Sequence, residues 1–205
     1  MLQIWFATTN EGKAKSAQRR LEPLGITVMP TSMELNEKQI DDLEIIAAMK
    51  AEQAFAKLQK PVFVIDAGFH IHAYDNGPGA YAKSFFQKFG VKGILRLMRG
   101  EKDRSCEFVH VLAYKDEILD QPKIFSGIVG GSIARKASGN NKTYAWSIAY
   151  RIFIPDGHTK TQGDMSDEEQ LQFREETSSY YAEFAHWYVH HIRALYRNGT
   201  YSQFS

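Results

Sequence analysis

The chain has 205 residues, 43% hydrophobic and 24% charged, with a formal net charge of +1. That is enough for one globular domain over residues 1–205 with a sizeable core. Near-neutrality argues against a nucleic-acid-binding module, so any phosphate binding must come from a local cluster of cations. The single cysteine, Cys106, excludes an internal disulfide framework and suits a reducing compartment. No signal-peptide pattern and no apolar run of roughly 20 residues are seen, so a cytoplasmic protein without a membrane partner is expected.

In chain order, Leu2 to Ala7 reads as a buried strand running into Thr8-Thr9-Asn10-Glu11-Gly12-Lys13 and a helix over 11–23, ended by Pro23 and Gly25. Small hydroxyl and amide residues at a helix N-terminus make an anion site, and Lys13 adds a charge to it; a helix merely capped by Thr9 or Asn10 is the alternative. A short strand follows over Ile26 to Met29, then a helix over 42–58 ended by Lys60-Pro61. Lys50 falls on this helix's apolar stripe, where it either snorkels past the core edge or reaches a buried anion. Glu37, in the polar loop before the helix, is a further carboxylate that folding could bring close.

Val62-Phe63-Val64-Ile65 reads as a strand covered on both faces, ended by Asp66-Ala67-Gly68. A carboxylate at a strand's carboxyl end suits metal binding or orientation of water; a turn or capping aspartate is the other reading. Gly77-Pro78-Gly79 turns the chain into helices over 80–89 and 91–99, each closed by glycine. Lys83 sits in a first helical turn, where the dipole disfavours a cation unless an anion accompanies it.

Two long strands follow, Cys106 to Tyr114 and Ile124 to Ile133, joined by a polar turn near Asp116 to Gln121. After a loop over 135–143, the aromatic segment Tyr144 to Ile154 offers Tyr144, Trp146 and Tyr150 either as stacking surface or as core. The last third is helical, with an acidic start at Ser166 to Glu169 and an aromatic-rich helix from about 178 to 196. The outline is α/β with a mixed sheet and two lobes.

Taken together, these segments resemble the inosine/xanthosine triphosphate pyrophosphatases, which hydrolyse non-standard purine nucleoside triphosphates to monophosphate and pyrophosphate. The family's T-x-N-x-x-K is matched by Thr8 to Lys13, its acidic loop by Asn36-Glu37-Lys38-Gln39, and its lysine-alanine pair by Lys50-Ala51. Its D-[ST] segment is similar to Asp66-Ala67 and its G-x-P-G-x-Y turn to Gly77 to Tyr81, with Lys83 two residues on. Later come F-x-G-x-x-x-G-x-I at Phe125 to Ile133, F-x-P-D-G at Phe153 to Gly157, and E-M-x-x-x-E-K at Asp164 to Gln170.

The resemblance implies an elongated mixed β-sheet flanked by helices, two-lobed with a central cleft, and a homodimer. It implies Thr8, Asn10, Lys13, Lys50 and Lys83 on the triphosphate, Glu37 and Asp66 on Mg²⁺, and Asp66 as activator of the attacking water. The base-reading motifs depart from the family. F-G-[WY]-D-P is replaced by Ser147-Ile148-Ala149-Tyr150-Arg151, the base-contacting lysine falls on Gln170, S-H-R on Arg174-Glu175-Glu176, and the acid before Asp66 is Ile65. Tyr150 and Gln170 are thus the residues left at the base position. An Mg²⁺-dependent nucleoside triphosphate pyrophosphohydrolase with altered base preference is expected; a nucleotide-binding descendant without turnover is the rival. His186 and His190, four apart on the last helix, read as packing or dimer-contact residues rather than metal ligands. One of His70 and His72 faces the crevice, or both lie on a half-exposed strand.

Overall fold

A computed structural model describes residues 2–36, 39–140, 147–177 and 179–197. Its elements are β1 (Leu2–Ala7), α1 (Glu11–Leu21), β2 (Ile26–Thr31), α2 (Leu43–Leu58), β3 (Val62–Ile71), β4 (Pro78–Gly79), α3 (Ala82–Leu97), β5 (Ser105–Lys115), β6 (Lys123–Ile133), β7 (Phe153–Pro155), α4 (Asp167–Glu176) and α5 (Ser179–Arg197). The seven strands form one mixed sheet in the order β2-β1-β3-β5-β6-β7, with β4 on β3. β1 pairs in parallel with β2 and β3, and the remaining pairs are antiparallel.

Alternation along β3 sorts side chains between two layers. Phe63 and Ile65 point into a core with Ile4, Phe6, Leu21, Tyr114 and the α5 residues Phe184 and Tyr188. Val62 and Val64 point the other way, toward Ala47, Ala51 and Ala54 of α2. Alanines spaced by three and four let α2 lie close on the sheet. Beyond Gly68 the same strand carries Phe69 and Ile71 into a separate cluster with Phe86, Ile94, Phe108, Phe153 and Phe173. Two lobes therefore share the long strands β3, β5 and β6.

Two local expectations are revised, and one segment takes definite form. The strand over 62–65 does not end at Asp66 but runs on to Ile71, because β5 offers an unbroken antiparallel partner from Val62↔Lys115 to Ile71↔Cys106. The first helix stops at Leu21 and passes into a 3-10 turn containing Pro23, closed by left-handed Gly25. Residues 148–151, within the segment read as an aromatic stretch from Tyr144 to Ile154, form a 3-10 turn capped by the Ser147 hydroxyl, and Phe153–Pro155 is extended. Tyr144 and Trp146 lie outside the described residues. Gly90 breaks α3 at φ 59°, as the two-helix reading implied.

Candidate active site

β1 and β3 are in register only at Trp5↔Val62 and Phe6↔Phe63. Past these pairs the strands part. The chain leaves β1 into α1 on one face, while α2 covers the other, so a crevice opens at a topological switch point. The resulting cleft, about 930 Å³, is lined by Thr8 and Asn10 from the β1–α1 turn, Lys13 from the first turn of α1, Lys50 from α2, Asp66 from β3 and Lys83 from α3. A volume of several hundred Å³ is that of a small-molecule site.

Asp66 shares the face of Val62 and Val64, hence the face covered by α2. Lys50 lies three residues beyond Ala47 on the same stripe, and its Nζ donates to Asp66 Oδ2 at 2.6 Å. Both side chains are largely buried. The buried anion that Lys50 reaches is thus a carboxylate of the protein itself. The Lys13 ammonium donates to the Ile65 carbonyl at 2.9 Å, and the Ala67 N–H to Asp66 Oδ1 at 3.1 Å. Burial works against the Asp66 charge, but the nearby Lys13 and Lys50 cations and these hydrogen bonds outweigh it and hold the carboxyl below its ordinary pKa.

Asn10 is the N-cap of α1: its side chain accepts the Lys13 N–H at 3.1 Å, while the Asn10 N–H donates to Thr8 Oγ1 at 3.1 Å. The capping role is therefore real, and the capped terminus faces the cleft. Lys83 is exposed at the start of α3, whose N-cap Tyr81 offers no side-chain bond. Gly79 brings the turn before it against Asp41: φ is +55°, and an added Cβ would lie 2.8 Å from Asp41 Oδ1.

The remaining sequence candidates fall elsewhere. Glu37 lies outside the described residues, although Glu34 and Asn36 from the same loop line the cleft. Tyr150 lines a smaller adjoining cavity that shares Lys13 and Ile65 with the cleft. Gln170 is fully buried behind that cavity, its side-chain amide donating to the Gln162 carbonyl. His72 meets Ser105 Oγ at 2.8 Å outside the cleft, and the buried His70 Nε2 packs near Gly68 and Gly79. His186 and His190 stand on the exposed side of α5 with ring centroids 4.5 Å apart. Among the described residues no three potential ligands gather into a metal cage. Burial pushes the Cys106 thiol far above its usual range, consistent with an inert core group.

The sequence reading missed the inner cavity's other walls: Ser16 and Arg20 of α1, His110 of β5, and Tyr180 and Tyr181 of α5. One signal was available. Tyr180 stands four residues before Phe184 and eight before Tyr188 on one helical stripe, which places its ring inside.

The chain matches the profile of the Ham1 family over residues 4–179. It is 32% identical over 192 residues to a dITP/XTP pyrophosphatase of Thermococcus kodakarensis, covering 94% of this chain and 100% of that one. A dITP/XTP pyrophosphatase of Methanopyrus kandleri is 34% identical, with 93% and 98% covered, and one of Methanosarcina mazei is 37% identical over 171 residues, with 83% and 89% covered. A HAM1 protein from Coxiella burnetii superimposes with a TM-score of 0.74 at 22% identity, over 93% of this chain and 100% of that one. From residue 4 through the start of the last helix, this chain belongs to the Ham1 family.

Proposed function

We propose that this protein hydrolyses nucleoside triphosphates to the monophosphate and pyrophosphate. The observation that carries the reading is the convergence of Lys13, Lys50, Lys83 and ionised Asp66 on one cleft from four separate elements. The relatives are dITP/XTP pyrophosphatases, which supplies the reaction class. The three lysines and the capped start of α1 bind the triphosphate and stabilise charge on the departing pyrophosphate. Asp66 accepts a hydrogen bond from water and orients it toward the α-phosphorus.

The donors present suit Mg²⁺. Asp66 is ionised on the cleft wall, Glu34 also lines the cleft, and magnesium takes one or two carboxylates with substrate phosphates and water. Glu37 belongs to this donor set by resemblance. When bound, the ion would neutralise the triphosphate and lower the pKa of coordinated water.

Base preference differs from that of the relatives because Tyr150 and Gln170 stand where the family reads the base. Among the described residues no helix is long and apolar enough to cross a membrane, and the buried free thiol of Cys106 suits a reducing compartment; the cytoplasm is the proposed location. A homodimer is part of this reading, through a surface other than the aromatic stripe of α5, which is spent inside the chain's own core. Light scattering checks it.

Incubation of the protein with a panel of nucleoside triphosphates and Mg²⁺, with pyrophosphate release followed, tests the function. Release from at least one nucleotide is expected, and none from any would refute hydrolysis. One observation favours the second reading, a binding protein without turnover: the position before Asp66 holds Ile65, which packs into the α1/α5 core and supplies only its carbonyl, to Lys13. Nucleotide affinity without pyrophosphate release would establish it.

A further inference from the structure

The two faces of α5 differ in kind. Tyr181, Phe184, Tyr188, Ile192 and Leu195 enter the first core. The Tyr188 hydroxyl donates to the Gln3 carbonyl, and His191 is bonded to Asp116, so the helix is pinned to the sheet and to the turn after β5. The opposite face presents Glu183, His186, His190 and Arg193, all exposed. Spacings of three, four and three put them on one stripe.

His186 and His190 are the close pair on that stripe. Their ring centroids stand 4.5 Å apart with 59° between the planes. Both residues are exposed rather than packed, and among the described residues neither has a hydrogen-bond or ion-pair partner. Two imidazole nitrogens bonded to one metal ion at about 2.0–2.1 Å, at an angle between square and tetrahedral, set the ring centroids about 4.5–5.2 Å apart. The rings already stand at that spacing on a fixed backbone, which leaves little ordering to be done on binding.

The donors select the metal. Imidazole suits Cu²⁺, Ni²⁺ and Zn²⁺, whereas Mg²⁺ takes oxygen ligands. Glu183 lies one turn before His186 but does not complete a cage, since no three potential ligands gather among the described residues. Its charge favours a cation near the pair, and Arg193, one turn beyond His190, opposes it. A closed structural site has four protein ligands; with two, water fills the remaining positions and the ion exchanges readily.

We infer that His186 and His190 form a surface site for one exchangeable divalent transition-metal ion of the imidazole-preferring class, with Cu²⁺ bound more tightly than Zn²⁺ or Ni²⁺. Neither residue lines the cleft, so the site is independent of the proposed hydrolysis. Calorimetric titration of the untagged protein with CuCl₂ and ZnCl₂ in excess Mg²⁺ tests it, with pulsed electron paramagnetic resonance on the Cu²⁺ complex. One site coupled to two imidazole nitrogens is expected. His186→Asn and His190→Asn should each weaken it at least tenfold, since even a residue that only orients a metal ligand is worth about 10–100-fold. His72→Asn, at an exposed histidine elsewhere, should leave the affinity unchanged. The paired ligands exist only while α5 is folded, so Zn²⁺ at a hundredfold excess over Kd should raise the wild-type Tm by about 5–10 °C. No binding, affinity unaffected by both α5 variants, loss of binding in His72→Asn, or an equal rise in Tm for the α5 variants would each overturn the inference.

Discussion

In the proposed reaction Asp66 and Lys50 carry the chemistry at the scale of single side chains. Asp66→Asn keeps the shape but removes the charge that orients water, so kcat should fall by about 10²–10⁴-fold with the fold retained. Unchanged turnover with a native circular dichroism spectrum would contradict the role. In the proposed mechanism Lys50 also meets the triphosphate, so Lys50→Gln should raise KM about tenfold while lowering stability, since it leaves Asp66 without its 2.6 Å partner. A double-mutant cycle on the two positions should return a coupling of about 1–3 kcal/mol; additive effects would deny the contact. The pH dependence has a fixed sign. A carboxylate depressed below its unfolded value near 3.9 keeps its charge and its contribution to stability above that value, and loses both only as pH falls through the folded pKa. Asp66 should therefore impose no loss of kcat/KM between about pH 5 and 8; an acid limb centred in that window and abolished in Asp66→Asn would show that the lysines do not hold it ionised.

At the scale of elements, the cleft depends on close approaches that only glycine permits. At Gly68 an added Cβ would meet Leu43 Cδ1 at 2.8 Å and the Gly79 carbonyl at 3.0 Å, so this residue seats the start of α2 and the β4 turn against β3. Gly68→Ala should cost about 1–3 kcal/mol through overpacking, and it should weaken catalysis by shifting α2, which carries Lys50. Equal unfolding midpoints and rates for Gly68→Ala and wild type would refute that view. Such contacts explain what the chain reveals of itself. Alternation and stripe spacing made β1, α2, β5 and β6 legible, whereas the grouping of Asn10, Lys13, Lys50 and Lys83 was implied only by the family resemblance, each residue by itself being equally readable as a cap or a solvated lysine. The length of β3 was not legible, since its second half is held by pairing with β5, forty residues away in sequence. Nor was the inner cavity, whose walls come from α1, β5 and α5 and meet only through the tertiary fold; Tyr180 and His110 carry no local sign that they will stack.

At the scale of the whole molecule, α5 ties the last described helix back to the sheet. Its aromatic face enters the first core, and the Tyr188 hydroxyl donates to the Gln3 carbonyl at 2.9 Å. Farther along, His191 Nε2 meets Asp116 Oδ2 at 2.6 Å, under the Trp187 ring at 4.5 Å. What read as a polar turn after β5 is in fact anchored inside: Asp116 is fully buried and also takes the Tyr114 hydroxyl at 3.0 Å and the Ile118 and Leu119 amides at 3.1 and 3.0 Å. Burial opposes its charge, but His191 and these donors prevail and hold its pKa down. The stabilisation is therefore complete above pH 4 and is lost on acidification below it. Asp116→Ala removes a buried acceptor with four donors and should cost about 3 kcal/mol, read as a lower denaturant midpoint at pH 7. Wild type and variant should draw closer as pH falls below 4 and through the depressed folded pKa of Asp116, where the wild-type carboxyl is itself protonated. Asp116 does not line the cleft, so kcat/KM in the folded variant at 25 °C should remain within about threefold of wild type. A large loss of activity at unchanged stability would mean that the α5 anchor acts on the site rather than on the fold.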